Sequence, residues 1–181
     1  MRRSYVYELV MAAMFAVIIA ICAWITVPFA VPFTMQTFGV FLAIAVLGGK
    51  WGTVSVLIYI LLGAVGIPVF SGFQGGFGVL FGNTGGYILG FLVSAFLIWG
   101  MELLIGRKTW AVLAQMFVGL LACYGFGTLC FWFLYTQNAG AVSIGAVLTV
   151  CVVPFVVPDV VKILLAWAVW KRLCKVIRYV K

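Results

Sequence analysis

The sequence predicts an all-α integral membrane protein: six transmembrane helices in a single domain spanning 1–181, with both termini cytoplasmic. Three observations carry that expectation. Of the 181 residues, 67% are hydrophobic and only 8% are charged, which is more apolar surface than a soluble domain of this size can hide, so the solvent is the lipid bilayer. The apolar runs leave room for five or six helices of about 20 residues, the length a bilayer core demands. Ten of the eleven Lys and Arg residues fall in segments that a six-span arrangement puts on one side, the pattern of positive-inside topology. The net charge of +8 therefore marks orientation in a membrane and not a nucleic-acid partner.

The first span covers roughly 7–27. Arg2 and Arg3 before it superficially resemble the start of a secretion signal, but the apolar run is too long and lacks a clean cleavage site, so a retained helix is expected. Within it Ala12, Ala16 and Ala20 recur every four residues. Such a flat stripe lets another helix approach closely in lipid, either inside the bundle or as a partner-docking face. Pro28 and Pro32 bound the loop at 28–35. Spans two and three, roughly 35–48 and 51–66, flank the tight turn Gly48-Gly49-Lys50. The stretch 66–86 follows, with eight glycines and Phe73, Phe77 and Phe81. It is too apolar and aromatic for solvated disorder, so it is expected to fold over a site or into the bundle.

Span four (85–105) carries a small-residue face of Gly86, Gly90 and Ser94. Span five (110–135) carries another of Gly119, Cys123 and Gly127. The last span (154–175) holds the two ionisable residues at membrane depth, Asp159 and Lys162. Three apart, they share a helix face, and such residues mark a cavity or pathway by default. An internal pair that only neutralises itself is the competing reading. Pro158 suits a first helical turn, so a helix opening there is expected, after a break that Pro154 shares. The stretch 142–153 is either a short separate helix or the start of the last span.

Catalytic chemistry finds little support. The chain contains no histidine and only three carboxylates, so no metal site is expected. No phosphate-binding loop motif occurs, and the five cysteines show no paired spacing, which reads as packing. What remains is a group of polar and aromatic side chains able to converge if the glycine-rich stretch folds over: Gln36, Asn83, Thr84, Tyr87, Asp159 and Lys162. Few polar groups within apolar walls describe a small-ligand site. Competing roles are helix capping for Gln36 and Thr84, a turn with positive φ for Asn83, and an interfacial anchor for Tyr87.

Several of these residues sit in motifs that resemble one family. Val31-Pro32-Phe33-Thr34-Met35-Gln36-Thr37-Phe38, Gly66-Ile67-Pro68-Val69-Phe70, Gly82-Asn83-Thr84-Gly85-Gly86-Tyr87 and Pro154-Phe155 with Asp159 and Lys162 resemble, in order, hallmarks of the BioY family. These are the biotin-specific substrate-binding (S) subunits of energy-coupling-factor (ECF) transporters. The resemblance implies a six-helix S-component bundle in a prokaryotic cytoplasmic membrane, binding biotin with high affinity on its outer side beneath capping loops 28–35 and 66–85. It implies no cofactor and no enzymatic activity of the chain itself. The implied partners are a transmembrane coupling subunit, docking on Ala12, Ala16 and Ala20, and two ATPase subunits. One departure is Val157-Pro158, where the family pattern has Pro-Gly.

Biotin suits these residues chemically. Asn83 and Asp159 are expected to read its ureido ring, and Lys162 and Gln36 its carboxylate, or the reverse. Phe33, Phe73 and Tyr87 would pack the thioether ring. The alternatives are a sibling carrier for another vitamin, uptake without ATPase partners, and a structural or assembly protein held by an internal Asp159–Lys162 pair.

Overall fold

The computed structural model describes residues 5–28, 33–139 and 143–179. Eight helices follow one another within them: α1 (Tyr5–Trp24), α2 (Gln36–Leu47), α3 (Gly49–Ala64), α4 (Phe77–Leu80), α5 (Gly85–Ile105), α6 (Thr109–Ala139), α7 (Ile144–Cys151) and α8 (Val153–Tyr179). Between α1 and α2, β1 (Thr26–Val27) pairs antiparallel with β2 (Phe33–Thr34), Thr26 opposite Thr34. Positions 29–32 of the expected capping loop lie outside the described residues. Four helical stretches are long and apolar enough to cross a bilayer: Tyr5–Trp24, Gly85–Ile105, Thr109–Gln137 and Val153–Lys175. α2 and α3 are apolar but have 12 and 16 residues. At the α-helical rise they reach about 18 and 24 Å, short of a hydrocarbon core of about 30 Å.

The main core runs through α1, α2, α3, α5, α6 and α8, with Ile19, Phe41, Val56, Ala95 and Ile163 fully buried. α5 and α6 form the closest pair, and the two small-residue faces read from the sequence meet there. A Cβ added at Gly86 would strike Cys130, and one at Gly127 would strike the ring of Tyr87. Ser94 Oγ crosses the seam to donate to Gly119 O at 2.6 Å.

The alanine stripe corrects one expectation. Ala12, Ala16 and Ala20 are 0%, 1% and 4% exposed, so in this structure they are not a surface on which a partner docks. α1 packs against α2 and α3, and small side chains on this face let the helices close; the backbone of Ile19 approaches Gly39 of α2 in the same way. The stripe is internal packing.

Two further differences concern the segments around the cavity described below. The stretch 66–85 is not irregular throughout: it holds a 3-10 turn, Ser71–Phe73, and α4. It is tied down by Trp24 Nε1 donating to Pro68 O at 2.9 Å, by Thr26 and Ser71 hydroxyls 2.9 Å apart, and by Gly76 N donating to Gly63 O at 2.6 Å. The last helix does not open at Pro158 either. α7 ends at Cys151, Val152 breaks the chain, and α8 starts at Val153 with Pro158 inside it. Pro154 already occupies the first turn, where a missing N–H costs little, and Pro158 removes one bond from the second. Asp159 thus stands in the second turn and not at a helix mouth.

Candidate functional site

A cavity opens at the end of the bundle where α1 finishes and α5 begins. It encloses about 660 Å³ of space, open solvent at its mouth included, and its wall is mostly apolar with a few polar groups, the character of a small-molecule site. Its wall takes Thr34 from β2, Gln36 and Thr37 from the start of α2, and Ser71 from the 3-10 turn. Thr84, Tyr87, Ile88 and Phe91 come from the start of α5, and Leu120, Cys123 and Tyr124 from α6. Cys151 of α7 and Phe155, Asp159 and Lys162 of α8 complete it.

α8 supplies the charge. Its sequence around Asp159 is apolar on every other face, so the helix turns this one inward, away from lipid. Asp159 and Lys162 are 5% and 4% exposed, and Lys162 Nζ lies 2.7 Å from Asp159 Oδ1. Tyr124 OH donates to the other oxygen, Asp159 Oδ2, also at 2.7 Å. Lys162 Nζ sits 3.8 Å from the centroid of the Phe33 ring, which itself stacks on Phe155 at 6.4 Å. An ammonium has three donors, so Lys162 keeps capacity beyond its single bond to Asp159. The carboxylate likewise has lone pairs beyond the two in use. The pair is electroneutral, yet it presents a donor and an acceptor side by side.

The neutral part of the wall is arranged by helix starts. The Gln36 backbone N–H donates to Thr34 Oγ1 at 3.2 Å, and Met35 N donates to Ile25 O at 3.0 Å, which fixes the start of α2 against β1. The Gln36 side chain is 5% exposed, and its Nε2 makes no hydrogen bond within the protein. Neither α2 nor α5 has a side-chain cap, so capping does not account for Gln36 or Thr84. Tyr87 is held in place by its hydroxyl, 3.1 Å from Thr128 Oγ1.

Of the eight residues expected in the site, the structure brings Gln36, Thr84, Tyr87, Asp159 and Lys162 to the cavity wall. Phe33 stands beside it through Lys162. Asn83 and Phe73 are not among the wall residues. Asn83 is exposed, in the turn before α5, and does not line the cavity. Phe73 is 64% exposed and stacks on Trp24 at 5.1 Å, which draws it away from the opening. The positive φ expected at Asn83 occurs at Phe73 instead (φ 57). Sequence reasoning missed Tyr124, the only side chain besides Lys162 that bonds to Asp159 among the described contacts. The available signal was a phenol beside Cys123, on the very stretch of α6 already singled out for small residues.

Comparison with known proteins follows the same direction. A model described as the BioY family matches residues 1–179. The "Biotin transporter BioY" of Thermotoga maritima is 42% identical over 172 residues, covering 93% of this chain and 96% of that protein. The "Biotin transporter BioY2" of Lactococcus lactis subsp. cremoris is 38% identical over 167 residues, covering 91% and 88%. Among solved structures, the crystal structure of the S-component for biotin from an ECF-type ABC transporter superposes with a TM-score of 0.79 at 25% identity, over 97% of this chain and 94% of that one.

Proposed function

The chain belongs to the BioY family, and from that premise we propose that it is the biotin-binding S subunit of an ECF transporter. It takes up biotin across the cytoplasmic membrane of a prokaryote with a coupling subunit and two ATPases. One observation carries the choice of ligand. The ureido group of biotin holds N–H donors and a carbonyl acceptor at one end of the molecule. Asp159 and Lys162, 2.7 Å apart on one wall, offer the matching acceptor and donor at one spot.

That distance favours a different pairing from the two read from the sequence. With Asp159 on the ureido ring and Lys162 on the carboxylate, the two ends of one extended ligand would have to meet at a single ion pair, or the pair would have to separate. Breaking a buried pair costs about 3–5 kcal/mol. Both residues therefore read the ureido ring, with Tyr124 steadying the carboxylate. The valerate carboxylate runs toward Gln36, whose free Nε2 donates to it. Thr84 and Tyr87 line its course, Phe33 and Phe155 pack the rings, and Asn83 and Phe73 belong to the rim.

The membrane reading has α1, α2, α3, α5, α6 and α8 as six crossings. Lys50, Arg107, Lys108, Lys171, Arg172 and Lys175 lie at helix ends away from the cavity, which supports a reading with that end and both termini cytosolic and the cavity outside. α2 and α3 are short crossings because β1–β2 and the 66–84 segment cover their outer ends, and backbone in a membrane is tolerated where protein covers it. Calorimetric titration of biotin into the purified, ligand-free chain tests the reading. Tight one-to-one binding is expected. An absence of heat together with an unshifted melting temperature would overturn it.

A further inference from the structure

Behind the Gln36 side of the cavity lies a hydroxyl with no partner. Tyr59 of α3 is 1% exposed and sits beside the Gln36 amide. Yet neither the Tyr59 hydroxyl nor Gln36 Nε2 closes a hydrogen bond in the protein. Buried polar groups are nearly always paired; among the described residues three atoms are exceptions, the third being Ser55 Oγ, and these two, adjacent to each other with one on a cavity wall, ask for a reason. Loose packing is not that reason. The Tyr59 ring stands edge-on to Phe70, centroids 5.5 Å apart and planes at 81°. Phe70 is 0% exposed and fills the space over Gly63, where any Cβ would strike its ring. The hydroxyl is held where it is by a rigid aromatic pair.

We propose that Tyr59 is a positioning residue for the ligand, acting through Gln36. A glutamine amide has two N–H donors, and a phenol oxygen accepts as well as donates. When an acceptor enters the cavity, Gln36 turns one N–H to it and the other to Tyr59, and the fixed hydroxyl sets the direction of the first. The inference rests on the biotin reading above, in which the acceptor is the valerate carboxylate.

The experiment compares the wild-type chain, Tyr59→Phe, Gln36→Met and the double variant in two measurements: biotin affinity and the melting temperature of the ligand-free protein. Phenylalanine keeps the packing on Phe70 and removes only the hydroxyl. Tyr59→Phe is expected to weaken biotin about tenfold. The same change is expected to alter the ligand-free melting temperature little, because the ring keeps its packing on Phe70 and no fully formed hydrogen bond of the hydroxyl within the protein is lost. In the Gln36→Met background the same substitution is expected to cost less than about twofold, since its route to the ligand is gone. Unchanged affinity in Tyr59→Phe, equal losses in both backgrounds, or a ligand-free melting temperature falling in step with affinity would each overturn the proposal while leaving the biotin reading intact. A wild-type chain that does not bind biotin removes the reading itself.

Discussion

The two ends of the bundle each hold an acid–base pair, and they are built on opposite plans. At the end away from the cavity, Glu102 of α5 lies 3.8 Å from Arg107, and both are anchored to backbone. Glu102 Oε2 accepts from Gly49 N at 2.7 Å, the start of α3, where a negative charge complements the helix dipole. Arg107 donates to Ala45 O near the end of α2, where a positive charge does the same. The cleft beside them is the smaller of the two, about 220 Å³ against about 660 Å³ on the same measure, open solvent included. At the cavity end, the described contacts of Asp159 and Lys162 beyond each other are with side chains, Tyr124 and the face of Phe33, and both residues line the cavity. A pair whose capacity is absorbed by helix ends is a clamp. One that keeps unused donors and acceptors at the edge of a void is a recognition surface.

Removing one partner from each pair separates the two roles. Lys162→Met is expected to weaken biotin more than about a hundredfold and to lower stability, since it leaves Asp159 buried without its counter-charge, a loss of about 3–5 kcal/mol. Replacing both together, Asp159→Leu with Lys162→Met, is expected to restore the melting temperature and leave biotin unbound. A double variant that still binds would show that the pair is only structural. Glu102→Gln runs the other way. It removes a charge from the start of α3 and from Arg107, so the melting temperature falls by the equivalent of about 1–3 kcal/mol, while biotin affinity of the folded protein stays within about threefold. A large affinity loss there would mean that the two ends are coupled.

Tyr124→Phe is the finer test at the cavity end. Its hydroxyl makes one bond to a charged group, worth about 1.5–3 kcal/mol. Biotin affinity is expected to fall about tenfold, less than for Lys162→Met because Asp159 keeps its counter-charge. Titration calorimetry on the two variants side by side reads the order. Equal losses would place Tyr124 on the ligand itself and not behind Asp159.

The contrast also explains what the sequence made legible. Asp159 and Lys162 stand out because a charge inside an apolar run has few physical explanations, and their i, i+3 spacing puts them on one helix face whatever the tertiary structure. Gln36, Thr84 and Tyr87 were legible as polar groups at helix starts, and the facing small residues of α5 and α6 as a close seam. The start of α8 was not, because Pro154 and Pro158 both satisfy the rule for a first turn and only the break at Val152 chooses between them. The alanine stripe was ambiguous for a related reason: spacing reveals that a neighbour comes close, not whether it belongs to the same chain. Tyr124 and Tyr59 were hidden because a tyrosine in a membrane helix reads as apolar bulk until its hydroxyl is seen to bond Asp159 or to stand, without closing a bond, beside Gln36.

The smallest expected effect falls on Asn83, and it bears on whether the cavity wall is complete. One of the two pairings read from the sequence put this residue on the ureido ring, whereas the structure leaves it exposed in the turn before α5, one residue from Thr84 on the wall. On the proposal that Asp159 and Lys162 read the ring, Asn83→Ala is expected to change biotin affinity less than about twofold, the effect of an exposed side chain making no described hydrogen bond. Thr84→Ala, measured alongside, controls for disturbance of the turn itself. If Asn83→Ala instead costs tenfold while Thr84→Ala does not, the turn must move when biotin enters and carry the amide onto the ring. The wall at α5 would then be assembled by the ligand, in contrast to the wall at α8, where Tyr124 and Lys162 already hold Asp159 in place without one.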